Sequence, residues 1–358
     1  MSNPVTAWFY RHFSDPQAIV LTAILIIGFG VILMLGDLLA PVLASLVLAY
    51  LLDSLVVLLE RRGVARAMAF SVVFVLFLAT LVLTLFGLLP ILSKQLSQFV
   101  QLAPAIVAKG QALLMQLPQH YPEVFTADQV NNLVAGIHSE IAGLGQDVVS
   151  LSLNTVLDIV TLGVYLVLVP IMVFFFLKDK LKIQQWVMGY LPKRRHVANE
   201  VWTEMDLQLG NYVRGKSWEF LVMWVVDYIA FVILDLRFAM LLSVLVGLSV
   251  VVPYIGMVAV TIPVVLVAYF QWGLTGDFYT LVIVFFIIQA IDGNVLVPLL
   301  FSEVVNIHPI GIIVAILVFG GIWGMWGVFF AIPLATLIKS LLNAWPTLPD
   351  PEEAGSGP

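Results

Sequence analysis

The chain contains no cysteine, and this one absence removes several kinds of chemistry. It excludes disulfide bonds, iron–sulfur clusters, thiolate zinc sites and cysteine nucleophiles. Charged residues are also scarce, at 11% of the 358 residues against about 25% in an average soluble protein. The 22 acidic residues outnumber the 16 basic ones, so the chain has no surplus of positive charge for binding nucleic acid. Since the five histidines are scattered without the spacing of metal ligands, we expect no metal, no cofactor and no nucleic-acid partner.

Apolar residues take the place of the missing charges. Hydrophobic residues make up 61% of the chain and the mean hydropathy is +1.07, which is too apolar for a soluble surface. This composition predicts an all-α polytopic membrane protein. A helix needs about 20 apolar residues to cross a hydrocarbon core of about 30 Å, and the apolar runs provide about eight such helices. The predicted spans are 17–35, 38–59, 67–89, 156–177, 220–236, 238–270, 281–300 and 310–342. Seven to nine spans are the alternative, because a run of 33 residues could instead form a re-entrant pair.

The distribution of basic residues predicts the orientation. Eight of the 16 lie between positions 178 and 216, and three more lie at 61, 62 and 66. Because basic residues concentrate on the cytoplasmic side, we expect both termini in the cytoplasm and the segment 91–155 outside. The predicted parts are an N-terminal three-helix membrane segment (1–90), an extracytoplasmic amphipathic helical segment (91–155), a fourth membrane helix with a basic cytoplasmic amphipathic helix (156–218), a C-terminal membrane segment with broken helices (219–345) and a disordered tail (346–358).

Apolar side chains recur at helical spacing in the outer segment, for example at Val130, Leu133 and Ile137. We expect two or three amphipathic helices there. Their apolar faces pack either on the protein's own membrane helices or on a neighbouring subunit. The segment 181–209 is similar, and we expect it to lie along the lipid headgroups on the basic inner side.

Three acidic residues, Asp53, Asp227 and Asp292, lie inside apolar runs. A charge at the bilayer centre costs about 2.5–3.5 kcal/mol even on the lenient insertion scale, so each is a functional candidate. Asp53 lies near the inner end of its span, where its carboxylate can reach headgroup water. Asp227 and Asp292 could pair as in a membrane aspartyl protease, but they lack the Tyr-Asp and Gly-x-Gly-Asp sequences of that class, and we expect no enzyme. Both are candidates for coupling to H⁺ or Na⁺, while Asp227 alternatively lines a helix or subunit contact.

Two apolar runs in the C-terminal half are interrupted, which predicts two broken or re-entrant helices. The run 238–270 is broken at 253–256, and the run 281–300 is broken at 292–294, ahead of Pro298. In lipid, non-helical backbone survives only where it is buried in protein or lines a wet cavity, so broken spans with polar side chains are suited to bind a solute. Alternatively, the breaks are only hinges or tight turns at the membrane surface. The candidate substrate-binding residues are Tyr254, Gln289, Asp292 and Asn294.

The last apolar run contains four closely spaced glycines at positions 320, 321, 324 and 327. They give a helix a smooth face that another helix can approach closely. Such a face serves either static packing or sliding during a conformational change. The candidate structural or gating residues of the C-terminal half are Arg214, Pro253, Gly256, Gly293, Pro298, Gly320 and Gly324.

The segment 210–217 reads GNYVRGKS and matches the phosphate-loop pattern G-x-x-x-x-G-K-[ST]. Such a loop binds phosphates only between a buried strand and a helix, where backbone N–H groups converge on them. Here the preceding residues are typical of an amphipathic helix, and a membrane span follows. We therefore expect neither ATP binding nor ATP hydrolysis.

Several short motifs follow one another in the C-terminal half. They are Asn211-Tyr212-x-Arg214-Gly215, Pro253-Tyr254-Ile255-Gly256, Asp292-Gly293-Asn294 with Pro298, His308-Pro309, Gly320-Gly321-x-Trp323-Gly324 and Ile332-Pro333-Leu334-Ala335. By their order and spacing the chain resembles the autoinducer-2 exporter family, and within it the PerM-type permeases. The resemblance covers nearly the whole chain.

The resemblance implies a secondary transporter of the bacterial inner membrane with about eight spans. It also implies homo-oligomers, pentamers in particular, and an elevator-like movement of the half with broken helices against a scaffold. Family members are associated with export of the furanone-type signal autoinducer-2, and some relatives with sodium–proton antiport. Asp292 and Asn294 occupy motif positions of the family, and a substrate-binding role for them is our own inference.

Our leading hypothesis is an exporter that moves a small polar solute outward across the lipid bilayer without ATP hydrolysis. In this hypothesis Arg214 holds the inner end of the fifth span, and Asp227 or Asp292 couples transport to H⁺ or Na⁺. Two alternatives stay open. One is a sodium/proton antiporter, and the other is an oligomeric membrane scaffold that recruits partners without transport.

Overall fold

The computed structural model describes residues 16–115, 155–189, 196–253, 255–301 and 308–343, and every regular element in these ranges is helical. The helices are α1 (Pro16–Arg61), α2 (Arg66–Leu83), α3 (Leu89–Leu114), α4 (Thr155–Lys178), α5 (Lys180–Gly189), α6 (His196–Ile233), α7 (Ala239–Ser249), α8 (Ile255–Trp272), α9 (Gly276–Ile291), α10 (Val297–Phe301) and α11 (Pro309–Asn343). Two π-helical turns, Thr84–Leu88 and Asp292–Leu296, join α2 to α3 and α9 to α10. The predicted all-α fold is confirmed for these ranges.

Four helical stretches in the described ranges are long and apolar enough to cross a membrane: Leu38–Arg61, Arg66–Leu102, Ile255–Trp272 and Gly276–Leu300. The helices Leu162–Lys178 and Lys180–Trp186, bent by 81° at their junction, make a fifth if they count as one broken span. Shorter apolar helices are Ala239–Ser249, Ile310–Gly324 and Gly327–Ser340. The multi-pass membrane architecture is confirmed, whereas the eight predicted crossings are not.

The first two predicted spans form one helical run, α1. Its backbone leaves helical geometry at Leu35, with φ −118° and ψ 18°. Gly36 and Asp37, which separate the two predicted spans, are themselves helical. The two spans therefore meet at a kink one residue before the expected position.

Helices α1, α2 and α4 share one apolar core, which we call the three-helix core. Its buried residues are Ala49, Val56, Ala69, Val73, Val173 and Leu177. Beside it, the hydroxyl of Ser45 donates to the carbonyl of Val169 at 3.4 Å and so links α1 to α4. Lys180, just after the 81° bend, forms an ion pair with Asp53 at 2.8 Å. Asp53 therefore has a partner within the protein.

The predicted inner amphipathic segment 181–209 is divided between two helices. Residues 181–189 lie in α5, which is bent sharply away from the apolar helix α4. Residues 196–209 instead begin the long helix α6, which continues into the predicted fifth span without interruption. Only the α5 portion is therefore separate from a membrane helix.

Helix α3 contains the described part of the predicted outer segment. Its Gln95 side-chain oxygen accepts a hydrogen bond from the N–H of Leu241 at 2.8 Å. The rings of Phe99 and Phe238 meet edge to face, with centroids 5.8 Å apart. This part of the segment therefore packs on the protein's own helices, which was one of the two alternatives. The amphipathic helices predicted between residues 116 and 154 lie outside the described residues.

Helices α7 and α8 form a helical hairpin, the first hairpin (residues 239–272). Helix α7 has 11 residues and is about 16 Å long, too short to cross the hydrocarbon core. At the end of α8, Gln271 donates to the carbonyl of Asp235 at 2.7 Å and accepts from the N–H of Arg237 at 2.8 Å. The run 238–270 therefore folds into a hairpin, since both of its ends lie beside the C-terminal end of α6. The break predicted at 253–256 forms its tip.

The second predicted break, at 292–294, is not a break. The chain stays helical from Gly276 to Leu300, with a π-helical turn at Asp292–Leu296. Such a turn changes the usual hydrogen-bond pattern of a helix, and Asn294 compensates by donating its amide to the carbonyl of Ala290 at 2.8 Å. The polar residue that suggested an interruption thus helps the helix to continue.

A different run supplies the second hairpin (residues 310–340). Helix α11 folds back at Gly324, whose φ of +58° and ψ of −138° are readily adopted only by glycine. Buried Ala315 and Ile316 on one arm share a core with Ala331 on the other. The run 310–342, predicted as one span with a re-entrant pair as the alternative, therefore consists of two short antiparallel arms.

The glycines of this run act within the second hairpin. A Cβ at Gly320 would lie 2.8 Å from Val328 on the opposite arm, and one at Gly327 would collide with the carbonyl of Phe319. Packing was one of the two roles expected for these glycines. The surface that approaches them belongs to the same hairpin and not to a separate helix.

Candidate functional site

Helix α6 carries charged residues along one face into the apolar part of the protein. Glu219 lies one turn after Lys216, and Asp227 lies three turns after it, so the three side chains share a face. Glu219 is 2% exposed and Asp227 is 0% exposed. Helix α6 contacts α7, α9 and α10. Burying such groups is costly unless partners surround them, so their neighbours decide what the site can do.

Lys216 joins α6 to the tip of the first hairpin. Its ammonium group lies 2.8 Å from the Glu219 carboxylate and donates to the carbonyl of Val250 at 2.8 Å. Val250 directly follows α7, where the chain begins to turn towards α8. The tip of the hairpin is therefore attached to a buried ion pair.

Helix α9 brings two further polar residues to this region. Gln289 is 6% exposed and lies one turn before Asp292, so both share a face of the helix. Asp292 is attracted by the charge of Lys216 and repelled by Asp227 and Glu219. These five residues form what we call the polar cluster: Lys216, Glu219, Asp227, Gln289 and Asp292.

Several buried polar atoms here have no hydrogen-bond partner among the described residues. They are both carboxylate oxygens of Asp227, Oδ1 of Asp292, Nε2 of Gln289 and, one turn before Asp227, Nε1 of Trp224. An unpaired buried polar group costs about 1–3 kcal/mol, and more if it is charged. The cluster therefore presents acceptors and donors that a polar molecule or a cation could satisfy.

The tip next to the cluster is tightly folded. The N–H of Gly256 donates to the carbonyl of Val252 at 2.9 Å, and a Cβ at Gly256 would collide with the backbone of Ser249. The two arms therefore meet backbone to backbone, which only glycine permits here. Pro253 lies within this turn and is half-buried.

The structure brings together Asp227, Gln289 and Asp292 of the predicted site. Asn294 is exposed, and its amide is bonded within its own helix. Gly293 and Pro298 are exposed as well, so this part of the motif faces away from the protein interior. Tyr254, the fourth candidate for substrate binding, lies outside the described residues.

The remaining predicted gating residues lie apart from the cluster. Arg214 donates to the hydroxyl of Ser54 at 3.2 Å and to the side-chain oxygen of Asn211 at 2.8 Å, which ties α6 to α1. Gly320 and Gly324 belong to the second hairpin, whose tip approaches the α1 kink. There a Cβ at Gly36 would lie 2.8 Å from the indole nitrogen of Trp323.

The phosphate-loop pattern at 210–217 is helical throughout. Its backbone N–H groups are directed along α6, so they cannot surround a phosphate group. Gly210 has another role, because a Cβ there would collide with the hydroxyl of Tyr50. That hydroxyl donates to the carbonyl of Asp206 at 2.8 Å.

Sequence reasoning missed Lys216 and Glu219. In the sequence, Lys216 belongs to the phosphate-loop pattern, and Glu219 lies at the start of the predicted fifth span, where charges are ordinary. A signal was present, because the two form an opposite-charge pair one helical turn apart and Asp227 lies on the same face. A helix face that carries three charged residues into an apolar span is the pattern that predicts them.

The comparisons with known proteins cover nearly the whole chain. A sequence model of the family described as AI-2E family transporter matches residues 21–347. The Escherichia coli K12 protein named "Putative permease PerM" is 46% identical over 346 residues, which are 97% of this chain and 98% of that protein. "Putative transport protein YrrI" of Bacillus subtilis is 25% identical over 306 residues, or 84% and 85% of the two chains. "Putative transport protein sll0063" of Synechocystis is 26% identical over 360 residues, or 96% and 89%.

Proposed function

The chain belongs to the AI-2E family of transporters, and we propose that it is a secondary transporter that exports a small polar solute without ATP hydrolysis. Its family and its apolar helices make it a multi-pass membrane transport protein. The solute class, the outward direction and the driving ion are our proposal. Autoinducer-2, a small polar furanone-type molecule, is the solute that the family resemblance suggests.

The polar cluster next to the tip of the first hairpin is the observation that carries this proposal. A transport site must bind a solute inside the protein and then release it when the surrounding helices move. The unpaired oxygens of Asp227 and Asp292 would accept hydrogen bonds from hydroxyl groups of the solute, and the Gln289 amide would donate one. Lys216 donates a hydrogen bond to the hairpin tip, and its charge also attracts Asp292. A ligand that binds Asp292 would therefore change how strongly Lys216 binds the tip.

The division of the apolar core supports an elevator-like movement. Helices α6 to α9 share one core, whose fully buried residues include Phe231, Leu242, Val264 and Phe285. The three-helix core of α1, α2 and α4 is separate from it. The N-terminal part of α6 joins the two, because Tyr212 and Val213 pack against α1, and the movement would have to break these contacts. Two bodies with their own cores can shift relative to each other with little repacking inside either one. We propose that the α6–α9 body carries the polar cluster and moves against the three-helix scaffold.

The cellular setting follows from the family resemblance and from the distribution of charge. We propose that the protein resides in the bacterial inner membrane with both termini in the cytoplasm, because basic residues dominate that side. We further propose that it forms homo-oligomers, with the pentamer as the first stoichiometry to test. Native mass spectrometry of the full chain in detergent or nanodiscs measures that stoichiometry directly.

Flux in proteoliposomes tests the proposed function. The purified full chain is reconstituted, a pH or Na⁺ gradient is imposed without ATP, and radiolabelled autoinducer-2 is followed. We expect gradient-dependent flux that Asp292→Asn reduces to the level of empty liposomes. Asp277→Asn is the matched control, because Asp277 lies on the same helix but at its exposed first turn. This control should keep wild-type flux.

Three results would contradict the proposal in different ways. Normal flux with Asp292→Asn removes Asp292 from the transport path. A requirement for ATP removes the secondary mechanism. The absence of flux for autoinducer-2 and for a panel of small polar solutes would favour the membrane scaffold.

Cation antiport is the second candidate, and the unpaired carboxylate oxygens of Asp227 and Asp292 favour it. Asp227 and Asp292 repel each other, so a bound H⁺ or Na⁺ would relieve that repulsion. We propose that this pair binds the driving ion in either mechanism. A pH-sensitive dye inside proteoliposomes distinguishes them, because an antiporter exchanges Na⁺ for H⁺ without any organic solute. Asp227→Asn should abolish that exchange.

A further inference from the structure

A cavity of about 590 Å³ lies where the first hairpin opens, at the opposite end of that hairpin from the polar cluster. It lies between α3 and the turn that joins α6 to α7. Its lining residues are Gln95, Gln98, Gln101, Leu102, Arg237 and Phe238. We propose that it is a binding site for a small oxyanion, a phosphate or carboxylate group, held by Arg237. This site is independent of the proposed function, because its occupancy can be measured without transport.

The chemistry of the lining points to an oxyanion. Arg237 supplies the positive charge among these residues, and it forms no ion pair within the described part of the chain. A guanidinium group presents several N–H donors in a planar fork that matches carboxylate and phosphate geometry. Gln98 and Gln101 add amide groups that can donate to the remaining oxygens or to hydroxyl groups.

The geometry of α3 places these amides on one side. Gln95, Gln98 and Gln101 follow one another at intervals of three residues, which keeps them on neighbouring turns of one helix face. Gln95 also fixes α3 to the hairpin, because its side-chain oxygen accepts from the N–H of Leu241 at 2.8 Å. This hydrogen bond therefore fixes the position of the three glutamines relative to Arg237.

Arg237 lies in a turn whose backbone is strained and is fixed by side-chain hydrogen bonds. Asp235 and Phe238 have φ values of +54° and +60°, in a region that non-glycine residues seldom adopt. Gln271 holds the turn with hydrogen bonds of 2.7 and 2.8 Å to the backbone of Asp235 and Arg237. The ring of Phe99 packs against Phe238. Backbone strain that the surroundings enforce is typical of ligand-binding turns, because it orients the binding group before the ligand arrives.

The charges nearby favour an anion. Lys109, further along α3, lies over the rings of Tyr269 and Phe270 at 5.8 and 5.4 Å from their centroids. It adds a second positive charge at the end of α8, close to the mouth of the hairpin. Asp235 is the nearest acid in sequence, and its side chain does not line the cavity. The volume lies in the range of about 300–1,000 Å³ found for small-molecule sites.

Calorimetry on the full chain tests this site. The protein is placed in nanodiscs of phosphatidylcholine and titrated with inorganic phosphate and, separately, with citrate. We expect saturable binding of at least one probe, weakened at least tenfold by Arg237→Gln. The matched control is Lys94→Gln, which removes one exposed positive charge from α3 without touching the lining and should weaken binding less than threefold. Gln98→Leu leaves the charge unchanged and should weaken binding at least threefold. If Arg237→Gln does not fold, this second variant tests whether the probe binds in the cavity.

A parallel arm identifies the source of the oxyanion. The protein is prepared in nanodiscs that contain phosphatidylglycerol, and native mass spectrometry counts the lipids that stay bound. Retained phosphatidylglycerol that Arg237→Gln removes would assign the site to a lipid headgroup, whereas soluble-probe binding alone would assign it to a free anion. Both results support the proposal. Absence of Arg237-dependent binding in both arms, or an equal loss with Lys94→Gln, overturns it.

Discussion

The ammonium group of Lys216 donates a hydrogen bond to the backbone carbonyl of Val250 at 2.8 Å, so a charged side chain on α6 holds the tip of the first hairpin. The same group pairs with Glu219 at 2.8 Å, and its charge also acts on Asp292. One positive charge is thus shared by the hairpin tip and by two acids. A solute or cation that pairs with Asp292 would change how strongly Lys216 holds the tip.

Replacing Lys216 by methionine should destabilise the protein strongly. The substitution leaves the Glu219 carboxylate, which is 2% exposed, without its partner. Loss of one partner from a buried pair costs about 3–5 kcal/mol in the free energy of unfolding. Equilibrium unfolding in detergent measures this loss. The double variant Lys216→Met, Glu219→Gln should lose less than the sum of the two single variants, because the uncompensated charge is then gone.

Lys182 provides the control for that experiment. It pairs with Asp179 at 2.9 Å, but its side chain is 82% exposed. Pairs of this kind contribute between zero and about 1 kcal/mol, so Lys182→Met should leave the stability almost unchanged. Equal losses for Lys182→Met and Lys216→Met would show that the buried pair has no special role.

Gly256 and Gly293 should respond differently to the same substitution. Gly256→Ala places a methyl group against the Ser249 carbonyl at the hairpin tip and should cost about 2 kcal/mol or more. Gly293 has open space around it, so Gly293→Ala should be neutral or stabilise the helix by up to about 1 kcal/mol. Thermal unfolding of the two purified variants gives the comparison. A larger loss at Gly293 than at Gly256 would contradict a close backbone contact at the hairpin tip.

The second hairpin makes a similar prediction within one element. Gly324 has a φ of +58° and Gly321 does not have a positive φ, while neither has an atom within 4 Å of its added Cβ. Gly324→Ala should therefore cost about 1–3 kcal/mol through backbone strain, and Gly321→Ala should cost little. If both glycines instead form a smooth packing face, the two variants should lose similar stability. Thermal unfolding distinguishes these outcomes.

Asp53 tests whether an acid in an apolar helix needs to be functional. Its carboxylate on α1 forms an ion pair with Lys180 on α5 at 2.8 Å, and both side chains are partly exposed to solvent. Asp53→Asn should lower the free energy of unfolding by about 1 kcal/mol or less. Flux in proteoliposomes should stay normal, in contrast to Asp292→Asn. A loss of flux with full stability would place Asp53 in the transport path.

The sequence predicted the class of fold and one of the two hairpins. Long apolar runs are a direct consequence of lipid contact, and the proline–glycine break at 253–256 correctly marked a turn. The polar residues at 292–294 were misleading, because the Asn294 side chain supports the helix through its bond to Ala290. Local sequence does not show which of these two uses a polar residue will have.

The second hairpin was predicted only as an alternative to a single span, for a related reason. The run 310–342 has only one charged residue, Lys339, so hydropathy alone does not distinguish one long span from a pair of short helices. The turn depends on the φ and ψ of Gly324, and glycine is compatible with both a helix and a reversal of direction.

The sequence identified three members of the polar cluster and missed two. Asp227, Gln289 and Asp292 were selected because acids and amides are rare at bilayer depth. Lys216 and Glu219 lie at the start of the predicted span, where charges are ordinary. Their importance comes from the hairpin tip that folds back onto Lys216, a contact between positions 34 residues apart.

The most direct test of the account is whether the polar cluster is reached by water and solute. Because the chain has no cysteine, a single introduced thiol can be labelled without background. Gln289→Cys places it in the cluster, and Val264→Cys places it in the apolar core of α6–α9 as a buried control. We predict that a small hydrophilic thiol reagent labels Cys at 289 in membranes, that solute slows this labelling, and that the control is not labelled. Equal failure to label both positions would contradict a transport path through the cluster.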